Sequence, residues 1–197
     1  MKKFLGTLLL LTLTISSAFS QKLRDDVVIQ STIFKVVYSE VLQQPKKIEY
    51  RVECTETKFS RDGLDFYTCD SIKTSDHSDY AGNEWDKGHL APAAAFSCDK
   101  DKLKTTFSYL NCALQQENLN RGVWRLLEAH ERNLAKNGEV KVVIELHFSK
   151  ESRVLPTGAT IPDGFTKKIT QAGKTTHYYF PNARPTKKYY TEYEIKH

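Results

Sequence analysis

His89, two asparagines and a glutamate are spaced along the middle of the chain so as to admit proton-transfer chemistry. His89 stands in "EWDKGHLAPAAAF" (84–96), behind a glycine, between an acid–base pair and a proline-broken run of alanines. Imidazole titrates near neutrality, so its neutral form can act as a general base. Further on, "YLNCALQQENLNRGVWRLLE" (109–128) sets Asn111, Gln115, Asn120 and Glu128 among core-like residues. Each also has an ordinary reading. A lone histidine is more often surface or packed core. Asn120 is suited to cap a helix start. Glu128 is suited to a solvated helix face, paired with Arg121, Arg125 or Arg132.

The elements that must carry these residues are partly legible. "ENLNRGVWRLLEAHERNLAKNG" (117–138) predicts one helix, with Val123, Leu126, Leu127, His130 and Leu134 on its apolar face and Asn137-Gly138 as its stop. Asn120 and Glu128 are then about 12 Å apart along the axis. Side chains lean toward a helix N-terminus, so Glu128 reaches partway back. "VVIQSTIFKVVYSE", "KKIEYRVEC" and "VKVVIELHF" have strand composition, and "ATIPDGFTKKIT" and "THYYFPN" supply shorter extended pieces. "SIKTSDHSDYAGNEW" reads as loop. Neither repeats nor a linker interrupt the chain, and the expectation is one α+β domain.

"MKKFLGTLLLLTLTISSAFSQ" has the basic, apolar and small-residue regions of a secretory signal peptide, with cleavage expected after Ser20. An uncleaved anchor is the alternative, although the run from Phe4 to Ile15 is short for a bilayer span. The domain is then 21–197, secreted or periplasmic, with no later membrane span. Losing Lys2 and Lys3, and no acid, takes the formal net charge from +5 to +3. That permits a polyanionic partner without demanding one. Export makes disulfides plausible for Cys54, Cys69, Cys98 and Cys112, and three pairings exist. Local pairing is expected: Cys54 with Cys69 across a hairpin turning at Asp62-Gly63, and Cys98 with Cys112. No C-x₂-C spacing supports zinc.

"DYAGNEWDKGHLAPAAAF" (79–96) followed by "TTFSYLNCALQQENLNRGVWRLLE" (105–128) resembles the DNA/RNA non-specific endonucleases of the ββα-metal (His-Me finger) type. The resemblance begins near "FKVVYSEVLQQPKKIEYRV" and runs through "TIPDGFTKKI" and "YYFPNA", most of the mature chain. Lys87 stands where the family has Arg, Leu110 where it has Ser before the first Asn, and Leu114 where it has Pro before Gln. Lysine is a point charge and does not grip phosphate bidentately, so Lys87 is expected to weaken or retune the site. The implied fold is α+β: a ββα-metal finger core and a central, mainly antiparallel sheet flanked by helices.

The resemblance implies hydrolysis of phosphodiester bonds in DNA and RNA. His89 is then the general base and Asn120 the direct ligand of a divalent cation, Mg²⁺ or alternatively Mn²⁺. Mg²⁺ is satisfied by one or two protein oxygens. Glu128 would hold a water of the cation's shell, and Asn111 would position His89 or that shell. Arg61 and Lys87 would act on phosphate, with Gln115 in support. Asp86 is expected to shape a turn through backbone hydrogen bonds, and Gly88 to allow a turn that aims His89 inward. The lysines of "FTKKIT", "QAGK" and "TKKYYTEY" would either extend a basic track or lie on solvated faces. Missing base-reading modules point to sequence-independent cutting. Two rivals remain at this level: a non-catalytic secreted nucleic-acid binder, and a phosphodiesterase for small nucleotides. The oligomeric state is left open.

Overall fold

The computed structural model describes residues 22–196; the expected signal peptide lies outside them. Strands β1 (Val27–Gln30), β2 (Phe34–Ser39), β3 (Gln44–Arg51), β6 (Val140–His147), β7 (Gly164–Gln171) and β8 (Lys174–Pro181) form one six-stranded sheet in that order. Every pairing in it is antiparallel. The remaining strands, β4 (Trp85–His89) and β5 (Cys112–Gln116), pair antiparallel as a separate ribbon. A short helix α1 (Lys100–Thr105) lies in the connection between them. After β5 come a short α2 (Glu117–Leu119), a π-type turn (Asn120–Trp124) and α3 (Arg125–Ala135). Strand, strand and helix thus form the finger that the sequence predicts, and the fold is α+β.

Alternation explains the large sheet. In β6, Val140, Val142, Ile144 and Leu146 turn inward, and in β2 Phe34, Val36 and Tyr38 do so. Trp124 and Leu127 pack onto that face with Phe165 and Phe180. The Trp124 ring meets both phenylalanines, with centroids 5.4 and 5.6 Å away. Asn182 fastens the finger to the sheet. It accepts from the Gln116 amide at 2.8 Å and donates to the carbonyls of Leu114 and Pro162, each at 2.9 Å. No helix among the described residues is long and apolar enough to cross a membrane.

The predicted single helix is interrupted. Gly122 leaves helical geometry, with φ −101° and ψ −117°. The interruption rotates the face that follows. Leu126, expected in the core, is 41 % exposed, whereas Glu131 is fully buried. Its cation is Lys167, at 2.7 Å and equally buried. Lys167 is therefore neither a phosphate track nor a solvated residue. Its neighbour Lys168 pairs with Glu145.

The cysteine pairing also differs from expectation. The disulfide joins Cys54 to Cys98, and Cys69 and Cys112 are free. Residues 54–69 do turn at Asp62-Gly63, where the Leu64 amide donates to the Arg61 carbonyl at 3.1 Å and Gly63 has φ +76°. Their flanks, however, are not paired strands. They lie instead along the segment after β4: the amides of Glu53 and Cys54 both donate to the Ala95 carbonyl. Cys112 is consumed inside β5, its thiol buried against the Tyr80 hydroxyl at 3.3 Å. Burial pushes that thiol well above its ordinary range.

The bridge spans 44 residues, and loop-closure entropy for that span is worth about 4 kcal/mol. Cys54→Ser/Cys98→Ser is expected to melt roughly 10 °C lower than wild type. Thermal unfolding of both proteins checks this, and equal midpoints would show that the loop is held by its hydrogen bonds alone.

Candidate active site

A cleft of about 760 Å³ opens where the finger meets the 54–69 loop. His89 ends β4 and lines it, with Asn120 and Glu128 on the helical side and Arg61 and Lys87 near the loop. Five of the six residues singled out in sequence therefore converge there; Asn111 does not.

His89 sits between two aromatic rings, Phe66 at 4.6 Å and Phe107 at 4.8 Å between centroids. Its Nε2 is closed off from solvent and has no hydrogen-bond partner. Burial, and next the charge of Arg61, push the imidazole down to about 3. The ring is thus neutral at physiological pH, the protonation state a base requires.

Gly88 works differently from expectation. Its φ is not positive. A Cβ there would fall 2.5 Å from Gln115 Oε1 and 2.7 Å from Gln115 Cβ, across the ribbon. Glycine is needed because β4 and the Gln115 side chain approach so closely. Gln115 itself is buried, and neither of its amide atoms is partnered.

Asn111 is also buried, away from the cleft. Its Oδ1 accepts from the Ala91 amide at 2.7 Å, and its Nδ2 donates to the carbonyls of Ala91 (2.8 Å) and Thr106 (2.9 Å). The main-chain carbonyl of Asn111 accepts from Leu90. Asn111 clamps the two residues that follow His89. Its amide is committed to main-chain partners and does not reach the cleft.

Asn120 is not a helix cap. That task falls to Gln116, whose side chain accepts from the amides of Asn118 and Leu119. Asn120 Nδ2 donates to Asp86 Oδ2 at 2.8 Å. The same carboxylate takes a two-pronged grip from Arg121, at 2.9 and 2.6 Å. Asp86 therefore acts through its side chain, correcting the turn-shaping expectation. By occupying Nδ2 it leaves Oδ1 as the amide atom for a cation. Sequence carries no signal for this side-chain role, because the partner lies 34 positions away.

Glu128 is held by none of the three arginines considered as partners. Arg121 goes to Asp86 and Glu117, Arg125 to the Arg121 carbonyl, and Arg132 to the main-chain carbonyl of Glu128. Burial raises the Glu128 carboxyl to about 7, against the opposing charge of Lys167. All three arginines also line the cleft, a fourfold helical spacing from 121 to 125 being the sequence signal for a shared face. Opposite them, Lys87 Nζ is 2.8 Å from Asp65 and 5.8 Å from the Phe66 ring centroid. Arg61 is exposed at the rim.

No group of three or more His, Cys, Asp or Glu side chains suited to a metal occurs among the described residues. Of the cleft's carboxylates, Asp65 and Asp86 are paired with Lys87 and Arg121, so the donors left are the Asn120 amide oxygen and the Glu128 carboxylate. They suit a hard cation that retains most of its water, and they do not suit zinc.

Residues 14–196 match the family model for DNA/RNA non-specific endonuclease. The chain belongs to this family. Family relatives include mitochondrial endonuclease G of Bos taurus, 34% identical over 80 residues, which are 39% of this chain and 27% of that one. Mitochondrial nuclease EXOG of Xenopus laevis is 33% identical over 63 residues, 32% of this chain and 18% of that protein. The chain thus spans about a quarter or less of these relatives' lengths in the matched stretches. The crystal structure of the EndoG/EndoGI complex shares the family fold with TM-score 0.74 and 23% identity, covering 86% of this chain and 80% of that one.

Proposed function

We propose that this chain is an exported, cation-dependent endonuclease that hydrolyses DNA and RNA with little base preference. The observation that carries the reading is the cleft itself. It brings a neutral, unpartnered imidazole together with an oriented Asn120 amide, Glu128 and four arginines.

In this reading His89 takes a proton from the attacking water. Nε2 is the closed nitrogen, so Nδ1 is the one open to the cleft, and the neutral tautomer carries its hydrogen on Nε2. An imidazole pushed so low is a weak base on its own. A phosphodiester entering beside Arg61 offsets that arginine's charge and raises the proton affinity of the ring when substrate is present. Asn120 Oδ1 would hold the divalent cation, with Glu128 on a water of its shell. The bound cation supplies Lewis-acid stabilisation of the phosphate and of the leaving 3′ oxygen. Arg61 on one wall and Arg121, Arg125 and Arg132 on the other neutralise flanking phosphates. Because these contacts address backbone, they position a substrate without reading it.

Incubating the protein with supercoiled plasmid and with a long mixed-sequence RNA, in Mg²⁺ or in excess chelator, tests the reading. Both polymers should be cut at scattered sites, and only with the cation. Full activity in chelator, a single recurrent site or refusal of one polymer would each count against it.

The cation site has a sharper test. Asn120→Ala should raise the Mg²⁺ concentration for half-maximal plasmid nicking by roughly 10- to 100-fold, and Asp86→Ala by a smaller factor, since it only frees the amide to rotate. An unchanged midpoint for Asn120→Ala would remove the proposed ligand.

A further inference from the structure

We propose that Phe59 is a base-stacking platform, so that the cleft favours a strand with unstacked bases, single-stranded DNA or RNA, over a duplex. This rests on the nuclease reading and adds a substrate form to it.

Three phenylalanines line the cleft, and two are already engaged. Phe66 and Phe107 flank His89. Phe59 is instead 42 % exposed. A lone exposed apolar side chain on a convex surface has no significance. Phe59 lies in a concave cleft that four arginines also line, where a phenyl face has a fitting occupant: every nucleobase offers a π-face, and stacking on it is indifferent to sequence.

The main chain that carries the ring is fixed in advance of any ligand. The amides of Lys58 and Phe59 donate to the Ser97 carbonyl at 3.2 and 2.8 Å. Ser97 precedes Cys98, which is bonded to Cys54. Lys102, three residues into the next helix, pairs with Glu53 on the other side of the bridge. Stacking on a residue whose backbone is already fixed carries no further cost of ordering the loop.

Arg61 stands two residues on and lines the same cleft. Two residues of chain separate Cα atoms by at most about 7 Å. A phosphate held at Arg61 therefore brings an adjoining base within reach of Phe59. In a duplex that base is covered on both faces by its neighbours, and the ring gains nothing. In a single strand the face is free.

The test uses the oxidised full chain in Mg²⁺, and kcat/KM for three substrates: a single-stranded oligonucleotide, the matching duplex, and the single strand with one abasic nucleotide moved stepwise past a cut site. Phe59→Ala should lower kcat/KM on the single strand by roughly 10- to 100-fold, the worth of one base–aromatic stack. It should leave the duplex within about twofold, and Phe59→Trp should retain wild-type preference. At one abasic position wild type should lose the same factor, while Phe59→Ala loses nothing further. Equal loss on single strand and duplex, or losses that multiply at every abasic position, would overturn the proposal. If wild type cuts every substrate and Phe59→Ala changes none, stacking alone falls. If wild type cuts no polymer, the nuclease reading falls first.

Discussion

His89→Ala is expected to lower phosphodiester cleavage by roughly 10²- to 10⁴-fold, the usual worth of a general base, while far-UV circular dichroism is unchanged. The ring's packing between Phe66 and Phe107 makes some loss of stability unavoidable, so folded fraction and turnover must be measured on one sample. Activity within tenfold of wild type would remove His89 from the chemistry. The protonation state is testable separately. Burial holds the imidazole down at about 3, against an ordinary value near 6.5 in the unfolded chain. Between those values the unfolded state binds the extra proton, so His89 withdraws stability as pH falls from about 6.5 toward 3. Above that window it withdraws none. NMR titration of the metal-free protein should find the His89 ring still neutral at pH 5. A midpoint between 6 and 7 would show that the cleft is wetter than its geometry indicates.

Lys167→Met is expected to cost about 3–5 kcal/mol of stability, because it strands the Glu131 carboxylate in the core. The two charges are wholly buried. Glu131 also accepts from the Tyr50 hydroxyl at 2.8 Å, and Lys167 Nζ lies 4.1 Å from the centroid of Trp124. Burial, reinforced by the charges of Glu131 and Glu128, keeps the Tyr50 phenol protonated and donating. Strands β3 and β7 are thereby tied to α3 one turn beyond Glu128. The triple change Tyr50→Phe, Glu131→Leu and Lys167→Met removes donor, anion and cation together, and should recover most of the loss. Chemical denaturation with matched m-values gives the comparison. A single variant as stable as wild type would mean that solvent reaches the pair.

The ordered motif blocks in the sequence already pointed to the family and the finger: a glycine–histidine strand end and, some thirty residues on, an asparagine within a helical stretch. Alternation in β2 and β6 fixed their inward faces for a local reason: strand side chains point to opposite sides. Even Lys167 left a signal, since Phe165, Lys167 and Ile169 occupy successive inward positions of β7, although composition suggested a solvated lysine. What no local pattern carried was decided by contacts across long sequence separations. Asp86 meets Asn120 because β4 pairs with β5, opposite Gln115, and Asn120 follows five residues later. The break at Gly122 shifts the buried face from Leu126 to Glu131, which becomes tolerable only with Lys167 opposite. Cys54 finds Cys98 rather than Cys69 because residues 53–54 bond to Ala95, closing a loop that sequence proximity alone would not select. Residue types and spacing fixed which chemistry was available; the tertiary structure decided which partner holds each group, because burial penalises every polar atom left without one.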